Sequence, residues 1–234
     1  MSTPDHNLLV TIAKQLNLLS VFCYLLPLAV CIWRWPVLAR RRRIGAALVL
    51  ILVLNIWSEV GRRYWHNNIL STYLIIWLET LFLSYTYYQT FNTRLNRQLL
   101  VGASMVFLAT AVSEYVFWAG LYGTKTYTRM AQSLLLIGAA LMYFEKILRE
   151  LRNIRLERDP MFLVSVGVTL YYSGTLMVFV LEDSMQKNYQ INQIWLMYSI
   201  QSVLLIAFNG LLAVALYNSS KSTDSALATQ PTPF

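Results

Sequence analysis

Hydrophobic and polar positions along this chain are gathered into long blocks. Seven predominantly apolar stretches, at about residues 12–33, 44–61, 69–91, 99–120, 130–148, 161–181 and 194–217, are separated by polar connections of seven to twelve residues. Each stretch is close to the roughly 20 residues that a helix needs to cross a bilayer. The pattern predicts an all-α integral membrane protein, a seven-transmembrane-helix bundle making one domain over residues 1–217. Residues 218–234, NSSKSTDSALATQPTPF, are small and polar and read as a disordered cytoplasmic tail. The N-terminus, MSTPDHNLLVTIAKQ, lacks the basic start and small-residue cleavage site of a removed signal peptide, so the first helix is expected to be retained.

Within the stretches, polar residues recur at helical spacing and mark one face of each helix. Asn17, Ser20 and Tyr24 share a face in the first stretch; Asn55, Glu59 and Arg62 do so in the second, and Thr72, Glu79 and Thr86 in the third. The later stretches offer Thr110 with Glu114, Gln132 with Ser133, Ser165 with Thr169 and Tyr172, and Tyr198 with Gln201, Ser202 and Asn209. At about 1.5 Å of rise per residue, Glu79 lies roughly 15 Å down its helix, near the bilayer midplane. A carboxylate at that depth costs at least a few kcal/mol unless it meets water or a partner. The expectation is a polar cavity open to the outside, with Glu79 as its floor and Glu59, Glu114, Tyr73, Tyr115, Tyr172 and Tyr198 around it. Asn55, Arg62 and Gln201 complete the candidate ligand-binding set. The competing reading is that these groups only bond helix to helix. It is strongest for Glu59, which has Arg62 and Arg63 within one turn.

Composition adds orientation. The chain is 57% hydrophobic and 13% charged, with a formal net charge of +8. Arg34, Arg40 to Arg43, Arg94, Arg97, Lys146, Arg149, Arg152, Arg155, Arg158 and Lys221 fall on one side of the seven-span scheme, against Lys14, Arg62, Arg63, Lys125, Arg129 and Lys187 on the other. The positive-inside rule places the N-terminus outside and the C-terminus in the cytoplasm, in a multi-pass protein of the cell (inner) membrane. This distribution touches anionic lipid heads and is not a nucleic-acid footprint. Cys23 and Cys31 are eight residues apart in one helix, about 12 Å, too far for a disulfide. With only His6 and His66 as histidines, no cofactor or metal site is expected.

The fifth stretch keeps an amphipathic pattern beyond the membrane, FEKILRELRNIRLERDP, until Asp159-Pro160 supplies a cap and first-turn proline for the next helix. Arg149, Arg152 and Arg155 on this extension are the candidate contacts for a cytoplasmic partner. There is no lysine in the seventh stretch, as a retinal protein needs, and no acidic-Arg-aromatic triplet after the third. No HExxH, GxSxG or P-loop motif points to an enzyme. SEVGRRYWHNN after the second stretch, the glutamate of the third, and RLERDPMFLVSVGVTLYYSG leading through the sixth resemble a set of bacterial seven-helix membrane proteins of about this length. That resemblance implies a role beside signalling histidine kinases, with no ligand or activity attached. The resulting expectation is a receptor-like or accessory protein that senses a small-molecule ligand or envelope state and couples to a kinase or other signalling protein. The alternatives are a small-solute or proton-coupled transporter using Glu79, and a structural membrane subunit.

Overall fold

The computed structural model describes residues 4–33, 53, 57, 69–119, 126–149, 159–187 and 191–228. Among them there is no strand. The elements are α1 (Pro4–Phe22), α2 (Leu25–Trp33), α3 (Ile69–Thr90), α4 (Arg94–Ser113) with a π-helical continuation at Glu114–Ala119, α5 (Thr126–Arg149), α6 (Pro160–Lys187) and α7 (Ile191–Ala228). Five helical segments are long and apolar enough to cross a membrane: Val10–Trp33, made of α1 and α2, then Arg94–Phe117, Thr126–Arg149, Pro160–Leu181 and Gln193–Asn218. The 22-residue α3, with Glu79 near its middle, packs beside them. The expected stretch 44–61 lies outside the described residues except for Val53 and Trp57. The described architecture is therefore an all-helical bundle of five spanning segments with α3 beside them, not a demonstrated seven.

The helices outrun the apolar stretches that announced them. α4 begins at Arg94, five residues before residue 99, because arginine and glutamine continue a helix into the interface as readily as leucine does. At the C-terminus α7 continues through Asn218 to Ala228, eleven residues into the segment expected to be disordered. Once a helix is nucleated each added residue costs little, and nothing before Pro231 breaks this one.

Burial follows a lipid-facing plan. In α5, Leu134, Leu141 and Leu148 repeat every seven residues on the exposed face, while Leu136, Ala139, Ala140 and Tyr143 are buried. α4 likewise exposes Met105, Val106, Val112, Val116 and Phe117. So much outward apolar surface suits hydrocarbon and not water.

α7 packs along α6 and also against α1 and α2; α5 packs on α6, α4 and α3. Glycines bring α6 close to α7: a Cβ on Gly167 would stand 3.0 Å from Phe208, and one on Gly174 would strike Leu204. Away from α1's N-terminal half, the core is built from Leu83, Tyr87, Leu136, Val168, Phe208 and Leu216.

Helix ends at the basic side are finished by side chains from neighbouring helices. The last carbonyls of α3 accept from Lys146 Nζ (Thr90 O, 2.7 Å) and Arg97 Nε (Phe91 O, 2.7 Å), cations placed at the negative end of the helix dipole. Asp159 caps α6 as its sequence predicts: Oδ1 accepts from the Met161 amide at 3.0 Å while Oδ2 accepts from the Tyr143 hydroxyl at 2.9 Å. Asp159→Ala removes both and is expected to destabilise the bundle by about 2 kcal/mol, half from the cap and half from the interhelical bond. Thermal unfolding in detergent checks this, with Asp159→Asn expected to recover most of the loss.

Candidate functional site

The first span bends where a proline forces it to. Pro27 has no amide hydrogen to give the carbonyl four residues back, and its ring crowds that carbonyl, so the helix breaks at Cys23-Tyr24. The orphaned Cys23 carbonyl accepts instead from the Leu26 amide at 3.1 Å. The break sets the buried Tyr24 beside Asn17 and Ser20, and all three line a cavity of about 420 Å³.

Five helices wall this cavity. α3 contributes Thr72 and Glu79; α5 contributes Arg129 and Gln132; α6 contributes Tyr171, Tyr172 and Phe179; α7 contributes Trp195, Tyr198, Gln201 and Ser202. Glu79 is half-buried, with the Tyr172 hydroxyl close to its carboxylate. The Gln132 amide donates to the Tyr172 hydroxyl at 3.4 Å and to the Ile76 carbonyl at 3.5 Å, linking α5 to α6 and α3. Tyr171 packs edge-on to Tyr172 with centroids 4.9 Å apart and stands beside Gln201. Two cations meet rings around the same chamber: Arg129 over Phe179 at 4.7 Å and Lys14 over Trp195 at 5.8 Å. A polar, aromatic-walled space of this size with one carboxylate and one guanidinium can hold a small solute.

The candidate residues separate into three groups. Glu79, Tyr172, Tyr198 and Gln201 stand together in the cavity. Asn55, Glu59 and Arg62 lie outside the described residues. Glu114 and Tyr73 are not among this cavity's lining residues; Glu114 lines a second pocket with Thr110, Ser113, Phe117 and Tyr127. The Glu114 side chain, 2% exposed, turns to the first turn of α5 and accepts from the amides of Tyr127 (3.1 Å) and Thr128 (2.7 Å) and from the Thr128 hydroxyl. Its negative charge and its acceptors are taken up by a helix N-terminus. Tyr73 is buried edge-on against Tyr115, centroids 5.9 Å apart.

Of the partner candidates, Arg149 is 79% exposed and pairs with Glu145 at 2.6 Å, one turn earlier on its own helix; Arg152 and Arg155 lie outside the described residues. Arg129, counted from the sequence only as an outer-side charge, enters the cavity because α5 starts at Thr126 and not at 130. Among the described residues no three His, Cys, Asp or Glu side chains gather to hold a metal. Comparison of the chain with protein-family models, with curated proteins and with solved structures gave no match.

If Glu114 serves the helix end and not a ligand, its loss reads out as instability. Glu114→Ala is expected to cost about 2–3 kcal/mol by stripping a buried helix start of its acceptors, and Glu114→Gln, which keeps one carbonyl, distinctly less. Melting curves in detergent measure both, and equal Tm values for Glu114→Ala and wild type would return Glu114 to the ligand set.

Proposed function

We propose that this chain is a receptor-like or accessory multi-pass protein of the inner membrane, sensing an extracytoplasmic solute and coupling it to a cytoplasmic signalling partner. The observation that carries the reading is the cavity around Glu79. It opens among the N-terminal halves of the first span (Val10–Trp33), α3, α5 and α7 and the middle and C-terminal half of α6, so it lies toward one end of the bundle. Beneath it the core of Leu83, Tyr87, Leu136, Val168 and Phe208 is packed. A chamber closed below suits a binding site better than a path.

The same geometry supports the seven-helix bundle. The first span (Val10–Trp33) and α3 present their N-terminal halves to one chamber and so run in parallel, as they do in a seven-span scheme. In that scheme the apolar sequence stretch 44–61 is taken as the second span. With seven spans, Arg97, Lys146 and Arg149 fall on the cytoplasmic side with the C-terminus, and the cavity faces outward. Arg149, with Arg152 and Arg155, then stands where a kinase or other signalling protein is reached.

A transporter is the second reading, favoured by one observation: Glu79 is a carboxylate near mid-depth with access to the cavity. The packed core beneath weighs against it. Two measurements test the assignment. An Asn17→Cys variant lacking Cys23 and Cys31 is expected to react in intact cells with a membrane-impermeant maleimide, whereas Asn209→Cys, fully buried, is not; labelling only after permeabilisation would reverse the orientation. In a strain where deleting the gene changes signalling output, Glu79→Gln is expected to abolish the ligand response without loss of protein. An unchanged response, or pH-dependent uptake by reconstituted vesicles, would overturn the receptor reading.

A further inference from the structure

The cavity holds two opposite charges at different depths. The Gln132 contact with the Ile76 carbonyl fixes the register of α5 against α3. Arg129 is one turn above that level and Glu79 one turn below it, so their Cα levels differ by about 9 Å along the bundle. Both line the same cavity, and no ion pair joins them. The Arg129 guanidinium lies against Phe179 and has no hydrogen bond or ion pair with any described residue. An arginine in the first turn of a helix also opposes the dipole of that helix, which makes it an expensive place for a merely structural cation. Its planar fork, held on a ring with its N–H groups uncommitted, is suited to a carboxylate. At the lower level Glu79 is flanked by Tyr172, with Tyr24 and Tyr198 in the same walls, the surroundings that hold an ammonium group through charge and ring faces.

We infer that the solute bound in this cavity is a small zwitterion, an amino acid or betaine, its ammonium group toward Glu79 and its carboxylate toward Arg129. The inference rests on the reading of the cavity as a solute site and deepens it. A cation or an anion alone would leave one protein charge facing an unmatched, partly desolvated group. A zwitterion matches both and adds no net charge, and about 420 Å³ holds one such molecule with its side chain or a few waters.

The test uses the full chain in nanodiscs, thermal stabilisation, and matched triplets of probes: the common amino acids and glycine betaine, the amine or quaternary ammonium counterpart of each, and the matching carboxylates. At least one zwitterion is expected to raise Tm while its two counterparts at equal concentration do not. Arg129→Gln is expected to weaken that zwitterion at least tenfold and bring it level with its amine. Glu79→Gln is expected to bring it level with its carboxylate. Arg129→Lys, which keeps the charge without the fork, is expected to fall between; wild-type Tm for the empty variants shows that they fold. Equal binding of zwitterion and amine with no effect of Arg129→Gln would overturn the zwitterion assignment and leave a cation-binding receptor. Absence of stabilisation by every zwitterion would also overturn it. If, in addition, no probe of any class binds and Asn17→Cys resists a water-soluble thiol reagent, the solute-site reading falls with it.

Discussion

The placement of α5 depends on one carboxylate. Glu114, at the start of the π-helical turn that ends α4, gathers the first amides of α5 and the Thr128 hydroxyl in a site almost free of solvent. Amides at a helix start have no partners of their own, and inside a membrane protein water is a poor substitute. The cap therefore fixes both where α5 begins and how it is rotated. Arg129 follows Thr128 directly and Gln132 comes one turn later, so the register of the cavity's basic and amide groups is inherited from a residue that never touches the cavity. The π-turn places an acidic side chain where an unbroken α-helix would have carried it past.

The opposite end of the bundle uses the same device with reversed sign. Lys146 and Arg97 close the carbonyl end of α3, and Asp159 opens α6 while holding Tyr143 of α5. Adjoining helices are thus tied by charged groups at their termini and by close, glycine-assisted contact along their lengths, and the interior polar groups are freed for the chamber. The division of labour explains why the carboxylates of this chain, alike in the sequence, do different work: Glu79 has a tyrosine and open space before it, whereas Glu114 is committed to a helix start, and Asp159 to a helix start and the Tyr143 hydroxyl.

Much of the chamber was legible because helical periodicity is a local property. Asn17, Ser20 and Tyr24, or Tyr198, Gln201 and Ser202, fall on one face by spacing alone, and Glu79 stood out by depth. Other features were hidden because they depend on where helices start and turn. Arg129 precedes the apolar onset at residue 130, so hydropathy left it in a connection; the helix beginning at Thr126 carries it inside. Nothing local distinguishes Glu114 from Glu79, since the helix it caps starts twelve residues further on. The bend at Cys23-Tyr24 did have a signal: a proline inside an apolar run places a break one turn before itself. The helical continuation past Tyr217 shows the limit of composition, because small polar residues without a proline or glycine among them do not by themselves stop a helix.

α7 wall residues and α7 tail residues belong to a single unbroken rod of 38 residues, about 57 Å long, against a hydrocarbon core of about 30 Å. It is gripped where Gly167 and Gly174 admit Phe208 and Leu204, close to its middle. A stiff rod held near its centre is a lever. Any sideways displacement of Tyr198 or Gln201 returns with opposite sign, and similar amplitude, at the turns beyond Tyr217, so the two faces of the membrane are mechanically connected without any rearrangement of the packed layer between them.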